Sequence, residues 1–162
     1  MNVDLLKRLC ETPGVPGREE RVRKLIEKEV KGLFDSVETD ALGNLICTRK
    51  PRTASGGKRK ADDPTRVMLL CHMDEIGFYV SSIDENGFLW INPAGGFDPR
   101  NLFSRRVLVC TDGGDYHGVI NPGGRPVHIS SPDDRKQVPE AKEFFVDLRM
   151  SQAPFAQLLI IF

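Results

Sequence analysis

The run Val67-Met68-Leu69-Leu70-Cys71, closed by His72-Met73-Asp74-Glu75-Ile76, constrains this chain more than any other segment. Unbroken apolarity over so short a length suits a strand buried on both faces in the middle of an α/β sheet. A histidine at the carboxyl end of such a strand stands where ligands bind in open α/β sheets. Asp74, two residues on, is close enough to accept the other imidazole N–H and fix the tautomer. For a solitary histidine, a core residue satisfied by a backbone carbonyl would be the better reading. The strand-end position and Asp74 shift the balance toward a metal ligand at His72 and an orienting carboxylate at Asp74. Glu75 reads as a surface carboxylate. The fifteen residues after Asp147 contain no Asp, Glu or His. The sequence opens a metal site and does not supply the rest of it downstream.

Upstream of this run, residues 3–12 predict a short helix with Val3, Leu5, Leu6 and Leu9 on one side. Pro13-Gly14-Val15-Pro16-Gly17 breaks it. A second helix is predicted from about Arg18 to Phe34, with Val22, Leu25, Ile26, Val30 and Leu33 at helical spacing and a charged outer face. Residues 36–40 and 45–48 read as two strands around a turn at Leu42-Gly43-Asn44. Residues 50–64 are polar, glycine-bearing and basic, and read as a surface loop. Without interleaved aromatics they do not make a nucleic-acid patch.

Downstream of Gly77 the texture changes to short β-like runs at 78–80, 88–91, 107–109 and 117–120, separated by Gly-, Pro-, Asp- and Asn-rich turns. That spacing predicts a small all-β barrel or sandwich. Residues 131–136 predict a capped helical turn, and 143–148 a further strand. His117 and His128 sit beside glycines and prolines and read as structural or solvent-facing. Cys71 is no partner for His72 in a nucleophile–base dyad, because neighbours in a strand point to opposite faces. Gly95-Gly96-Phe97-Asp98-Pro99-Arg100 lacks the strand-to-helix context of a phosphate loop and reads as a barrel turn.

Lys plus Arg and Asp plus Glu each total 23, which gives no electrostatic ground for nucleic acid or an anionic membrane as partner. With 40% hydrophobic and 28% charged residues, the chain has the composition of a soluble globular protein. The start lacks the apolar core of a signal peptide, and no run is long enough to cross a bilayer. The four scattered cysteines read as reduced thiols of a cytoplasmic protein.

The segments LLKRLCETPGVPGREERVRKLI, VETDALGNLI, VMLLCHMDEIGFYVSSIDENGFLWINPAGGFDPRNL and SPDDRKQVPEAKEFFVDL resemble the dinuclear-metal aminopeptidases of the tetrahedral type. That family includes glutamyl and deblocking aminopeptidases, and some members are labelled endoglucanase. The resemblance runs over about residues 3–148. It implies an α/β catalytic domain interrupted, shortly after the first metal-binding histidine, by a β-barrel through which subunits associate into dimers and hollow dodecamers. It also implies two zinc or cobalt ions sharing a water, with a glutamate as general base in hydrolysis of N-terminal residues from peptides. On this pattern His72 is the first metal ligand and Asp74 the carboxylate that serves the catalytic centre by orienting it. Residues 1–72 would open the catalytic domain, 73–147 would be the inserted barrel, and 148–162 a non-matching tail that reads as a frameshift or truncation.

The family's remaining ligands and its general base have no counterpart here. One imidazole cannot hold two divalent cations, and without a positioned base the water keeps its proton. The expectation is a chain that does not retain the metals and is inactive alone, with its Val67–Cys71 strand exposed. The terminal Leu158-Leu159-Ile160-Ile161-Phe162 is either an aggregation hazard or a makeshift strand across that face. The alternative is a non-catalytic association module working as a homo-oligomer through the barrel. A glycosidase is disfavoured, since no pair of carboxylates is marked out to flank a sugar bond.

Overall fold

The computed structural model describes residues 2–51 and 66–148, and the backbone of 158–161. Helix α1 (Val3–Glu11) starts at Asn2, whose side-chain oxygen accepts the Leu5 N–H at 3.1 Å, and stops before Pro13. Helix α2 is shorter than its apolar spacing predicts, Glu20–Glu29 instead of about 18–34. Gly32 at φ +79° turns the chain just beyond it, and Leu33 and Phe34 are left exposed. Arg8 of α1 ties the helices together, donating to Glu29 at 2.7 Å.

Strands β1 (Ser36–Thr39) and β2 (Leu45–Thr48) pair antiparallel as the sequence predicts. Their turn is built on Asp40, which accepts the backbone N–H of Leu42 and Asn44 and the Asn44 amide at 2.8–2.9 Å. All but two residues of the predicted 50–64 loop lie outside the described residues.

The Val67–Cys71 strand does not form. Residues 66–76 join no sheet, and Val67, Met68, Leu69 and Leu70 are 78–90% exposed. The reason is physical: a strand buried on both faces needs neighbours to pair with and helices to cover it. Here β1 and β2 pair only with each other, as a two-stranded sheet. Apolarity alone cannot make a strand.

From Gly77 onward the expectation of β structure holds. Strands β3 (Gly77–Ile83), β4 (Leu89–Ala94), β5 (Arg105–Thr111), β6 (Gly114–Pro122), β7 (Phe144–Asp147) and β8 (Leu158–Ile161) close into a barrel in the order β3-β4-β7-β6-β5-β8. Every neighbouring pair is antiparallel. The terminal run thus pairs neither with β1 nor with β2. Leu158–Ile161 fills the gap between β3 and β5, with Ile160 opposite both Phe78 and Val109.

The core of the molecule lies inside this ring. Phe78, Leu89, Ile91, Leu102, Val107, Val109, Ile120, Phe144, Val146 and Leu148 form its buried cluster. In β7 buried Phe144 and Val146 alternate with half-buried Phe145 and Asp147, the two-residue period of a strand with one face inward. Leu102 enters from the 3-10 turn Pro99–Leu102, capped by Asp98, so Gly95–Arg100 is a barrel turn as expected. The 131–136 turn is present as a 3-10 turn at Asp134–Lys136, with Ser131 and Asp134 exchanging side-chain-to-backbone hydrogen bonds. The helical part has little interior of its own: α1 buries nothing, and α2 buries only Val22. The chain is therefore mixed α/β, with nearly all of its core in the β half.

Candidate functional site

His72 and Asp74 lie on the irregular segment that leads into β3, not at the end of a buried strand. They are nevertheless brought together. The His72 Nδ1 is 3.2 Å from Asp74 Oδ1 and 3.0 Å from the Asp74 backbone oxygen. Both acceptors favour the tautomer with the proton on Nδ1, which leaves Nε2 as a free lone pair. The His72 side chain is 85% exposed and the Asp74 side chain 37%, so the pair lies open to solvent.

The other histidines do not join this pair. His117 is exposed on β6, opposite Leu108, and His128 is exposed in the 3-10 turn Val127–Ile129. Cys71 is exposed. Among the described residues no group of three or more His, Cys, Asp or Glu is placed to hold a metal ion. Among the described residues the site is one imidazole beside one carboxylate.

Glu75 departs from the surface role its sequence context suggests. It is half-buried against the Pro13–Gly17 loop, where its backbone N–H donates to the Gly14 oxygen at 2.7 Å. Burial pushes its carboxyl above the usual range, partly offset by the nearby Gly14 backbone N–H. The same loop is held from β3 by Tyr79, whose hydroxyl donates to the Pro16 oxygen at 2.6 Å. Val15 is fully buried with Cys110, under Tyr79 and Leu108. Gly14 is itself buried, and a Cβ there would stand 2.8 Å from Val22 of α2.

Beside this loop, Arg21 of α2 forms a two-pronged pair with Asp115 of β6, at 2.6 and 2.8 Å. The Arg21 guanidinium holds the Asp115 carboxyl below the usual carboxylate range. The Cys110 thiol beneath is pushed up to about 12, mainly by burial and then by the Asp115 charge. It is an inert thiol. Sequence reasoning misses this junction because its cross-element partners are 61 to 95 residues apart; the doubled Pro-Gly of the loop signals only a helix break.

Comparison with known proteins matches residues 53–160 to the M42 glutamyl aminopeptidase family. The matched region includes His72, Asp74 and every barrel strand through Ile160. The lysyl aminopeptidase of Pyrococcus furiosus is 34% identical over 127 residues, which make up 78% of this chain and 33% of that enzyme. A TET aminopeptidase from a marine sediment Thaumarchaeota archaeon superposes with a TM-score of 0.80 at 31% identity, over 97% of this chain and 43% of that one. The TET1 peptidase of Pyrococcus horikoshii, which can assemble into a tetrahedron or a large octahedral shell, gives 0.75 at 27% identity, over 97% of this chain and 45% of that one. The chain thus spans a third to somewhat under half the length of these relatives. A family match of this extent, carrying the His72–Asp74 pair and the barrel together, means that the chain belongs to the M42 glutamyl aminopeptidase family.

Proposed function

We propose that the chain carries the opening portion of a metal-dependent aminopeptidase and does not catalyse on its own. Residues 1–72 correspond in this reading to the start of an α/β catalytic domain, and 73–147, closed by the strand Leu158–Ile161, to a β-barrel inserted in it for association. His72 offers Nε2 as the first ligand to a divalent cation, and Asp74 orients it. The observation that carries the reading is the His72 Nδ1 to Asp74 Oδ1 approach at 3.2 Å on an otherwise open imidazole. Zinc and cobalt both suit such a nitrogen.

The donor set of the described residues does not fit a complete metal centre. A hydrolytic zinc takes about three protein ligands and an open position, and two metals need more. One imidazole supplies a single donor, so no hydrolytic step follows from these residues. A complete centre would act on the N-terminal residue of a peptide, in the cytoplasm. The test is metal analysis by mass spectrometry on purified chain, with leucine- and glutamyl-anilide cleavage alongside. Metal-free protein without turnover is expected. Stoichiometric zinc or cobalt with turnover would mean ligands recruited from another chain and would overturn the inactive reading.

A second reading is an association module, favoured by a barrel that closes with its own core. It predicts homo-oligomers in light scattering, and co-purification with a full-length family member. A strictly monomeric chain that ignores such a partner would eliminate it.

A further inference from the structure

The run ahead of His72 is a free strand edge in a molecule whose other strands are all paired. Val67, Met68, Leu69 and Leu70 are 78–90% exposed. Among the described residues, 66–71 join no sheet and make no hydrogen bond or ion pair. We propose that this segment is a self-association surface, on which a second copy of the chain lays the same segment antiparallel about a two-fold axis at Leu70. The inference goes beyond the metal reading of His72 and Asp74, and it does not use the barrel.

The charges at the two ends of the run point to a second copy as the occupant. Arg66 and Asp74 stand at equal distances on either side of Leu70, and the residues between them carry no formal charge with His72 neutral. An antiparallel pair centred on Leu70 sets Arg66 opposite the partner's Asp74, and the two-fold repeats that match at the other end. Leu70 then meets the partner's Leu70, and Leu69 meets the partner's Cys71 on the other face. One chain supplies both halves of the match, as a two-fold interface requires. Asp74 is 37% exposed at its side chain, and a carboxylate has about four lone-pair sites, so it can accept the partner's Arg66 while still accepting His72 Nδ1. The formal net charge of the chain is zero, so two copies meet without net repulsion. The ladder forms without breaking an existing one, because the backbone groups of 66–71 have no partners to give up.

A two-stranded ladder is marginal by itself, so a weak dimer is expected, with a Kd of about 0.1 mM. Sedimentation equilibrium of the full chain at low salt measures it, and hydrogen exchange should show the amides of 67–71 gaining protection as concentration rises. Leu69→Asp, a change at an exposed position, should abolish the dimer and leave the barrel amides protected. Arg66→Asp alone and Asp74→Arg alone each set like charges against each other at both ends, so each should dimerise about tenfold less well than wild type. An equal mixture of these two variants should recover the lost affinity, because every end of a mixed pair again meets its opposite. A chain still monomeric at about 1 mM overturns the proposal. So does a dimer that survives Leu69→Asp, which would place the contact on the barrel, and so does a mixture no better than its components, which would remove the register. Growth beyond two copies also overturns it, since the two-fold closes the contact. None of these outcomes decides the metal reading, which metal analysis tests separately.

Discussion

The Arg21–Asp115 pair links α2 to β6 across the junction, and its strength is modest. Both side chains keep partial contact with water, at 45% and 32% exposure, so screening limits the pair to about 0.5–1 kcal/mol. The Asp115 carboxyl lies below its unfolded value of about 3.9, so the folded state binds the proton less readily than the unfolded chain. The contribution is therefore complete above the unfolded pKa and fades as pH falls through the depressed folded one. Asp115→Asn should lower the thermal midpoint by a few degrees at pH 7, and the gap between variant and wild type should shrink in melts taken toward pH 3. A gap that stays constant across that range would show that the charge contributes nothing. At this same scale the sequence disclosed what was local and hid what was not. His72 and Asp74 are two residues apart, and their contact could be inferred from spacing. Glu75 meets Gly14 across 61 positions, and no periodicity or motif encodes such a meeting.

Elements were legible where a segment carries its own boundaries. Turn residues bracket the strands of the β half, so their existence followed from alternating runs and Gly, Pro, Asn and Asp punctuation. Val67–Cys71 shows the limit: its apolarity describes an environment, and the residues that would create that environment are not among those described. The terminal run shows the converse, since Leu158–Ile161 takes a place between β3 and β5 that nothing in its own composition specifies. A central barrel strand cannot lose a backbone donor cheaply. Ile160→Pro should cost about 3 kcal/mol and break protection of the β3 and β5 amides in hydrogen exchange. Unaltered protection there would mean that the ring closes without β8. Gly118 makes a similar point on β6, because a Cβ there would lie 2.5 Å from Val146 Cγ1 and 3.2 Å from the Asp147 oxygen. Gly118→Ala should destabilise by about 1–3 kcal/mol through overpacking, read as a lower midpoint in denaturant.

On the scale of the whole molecule, stability is divided unevenly. The main buried cluster belongs to the barrel, while the helical part contributes Val15 and Val22 and leaves Leu6, Leu33, Leu42 and Leu69 exposed. Residues 73–162 are accordingly expected to fold as a separate fragment with a cooperative melt, and residues 1–72 are not. The junction supplies an internal reporter of what the fragment loses. In the full chain Cys110 is buried by Val15 and raised to about 12, so at pH 8 about one thiol in ten thousand is ionised. Exposed Cys10 and Cys71 should alkylate readily there, and Cys110 should not. Removing residues 1–72 takes away Val15, whose packing dries the thiol, and Arg21, whose charge favours the thiolate. Burial is the larger of the two influences, so the net shift is downward and Cys110 should react faster in the folded fragment than in the full chain. Mass-spectrometric alkylation of fragment and full chain side by side decides the matter. A folded fragment in which Cys110 stays as slow as before would show that the barrel alone shields it, and that the helical part rests on the barrel without sealing it.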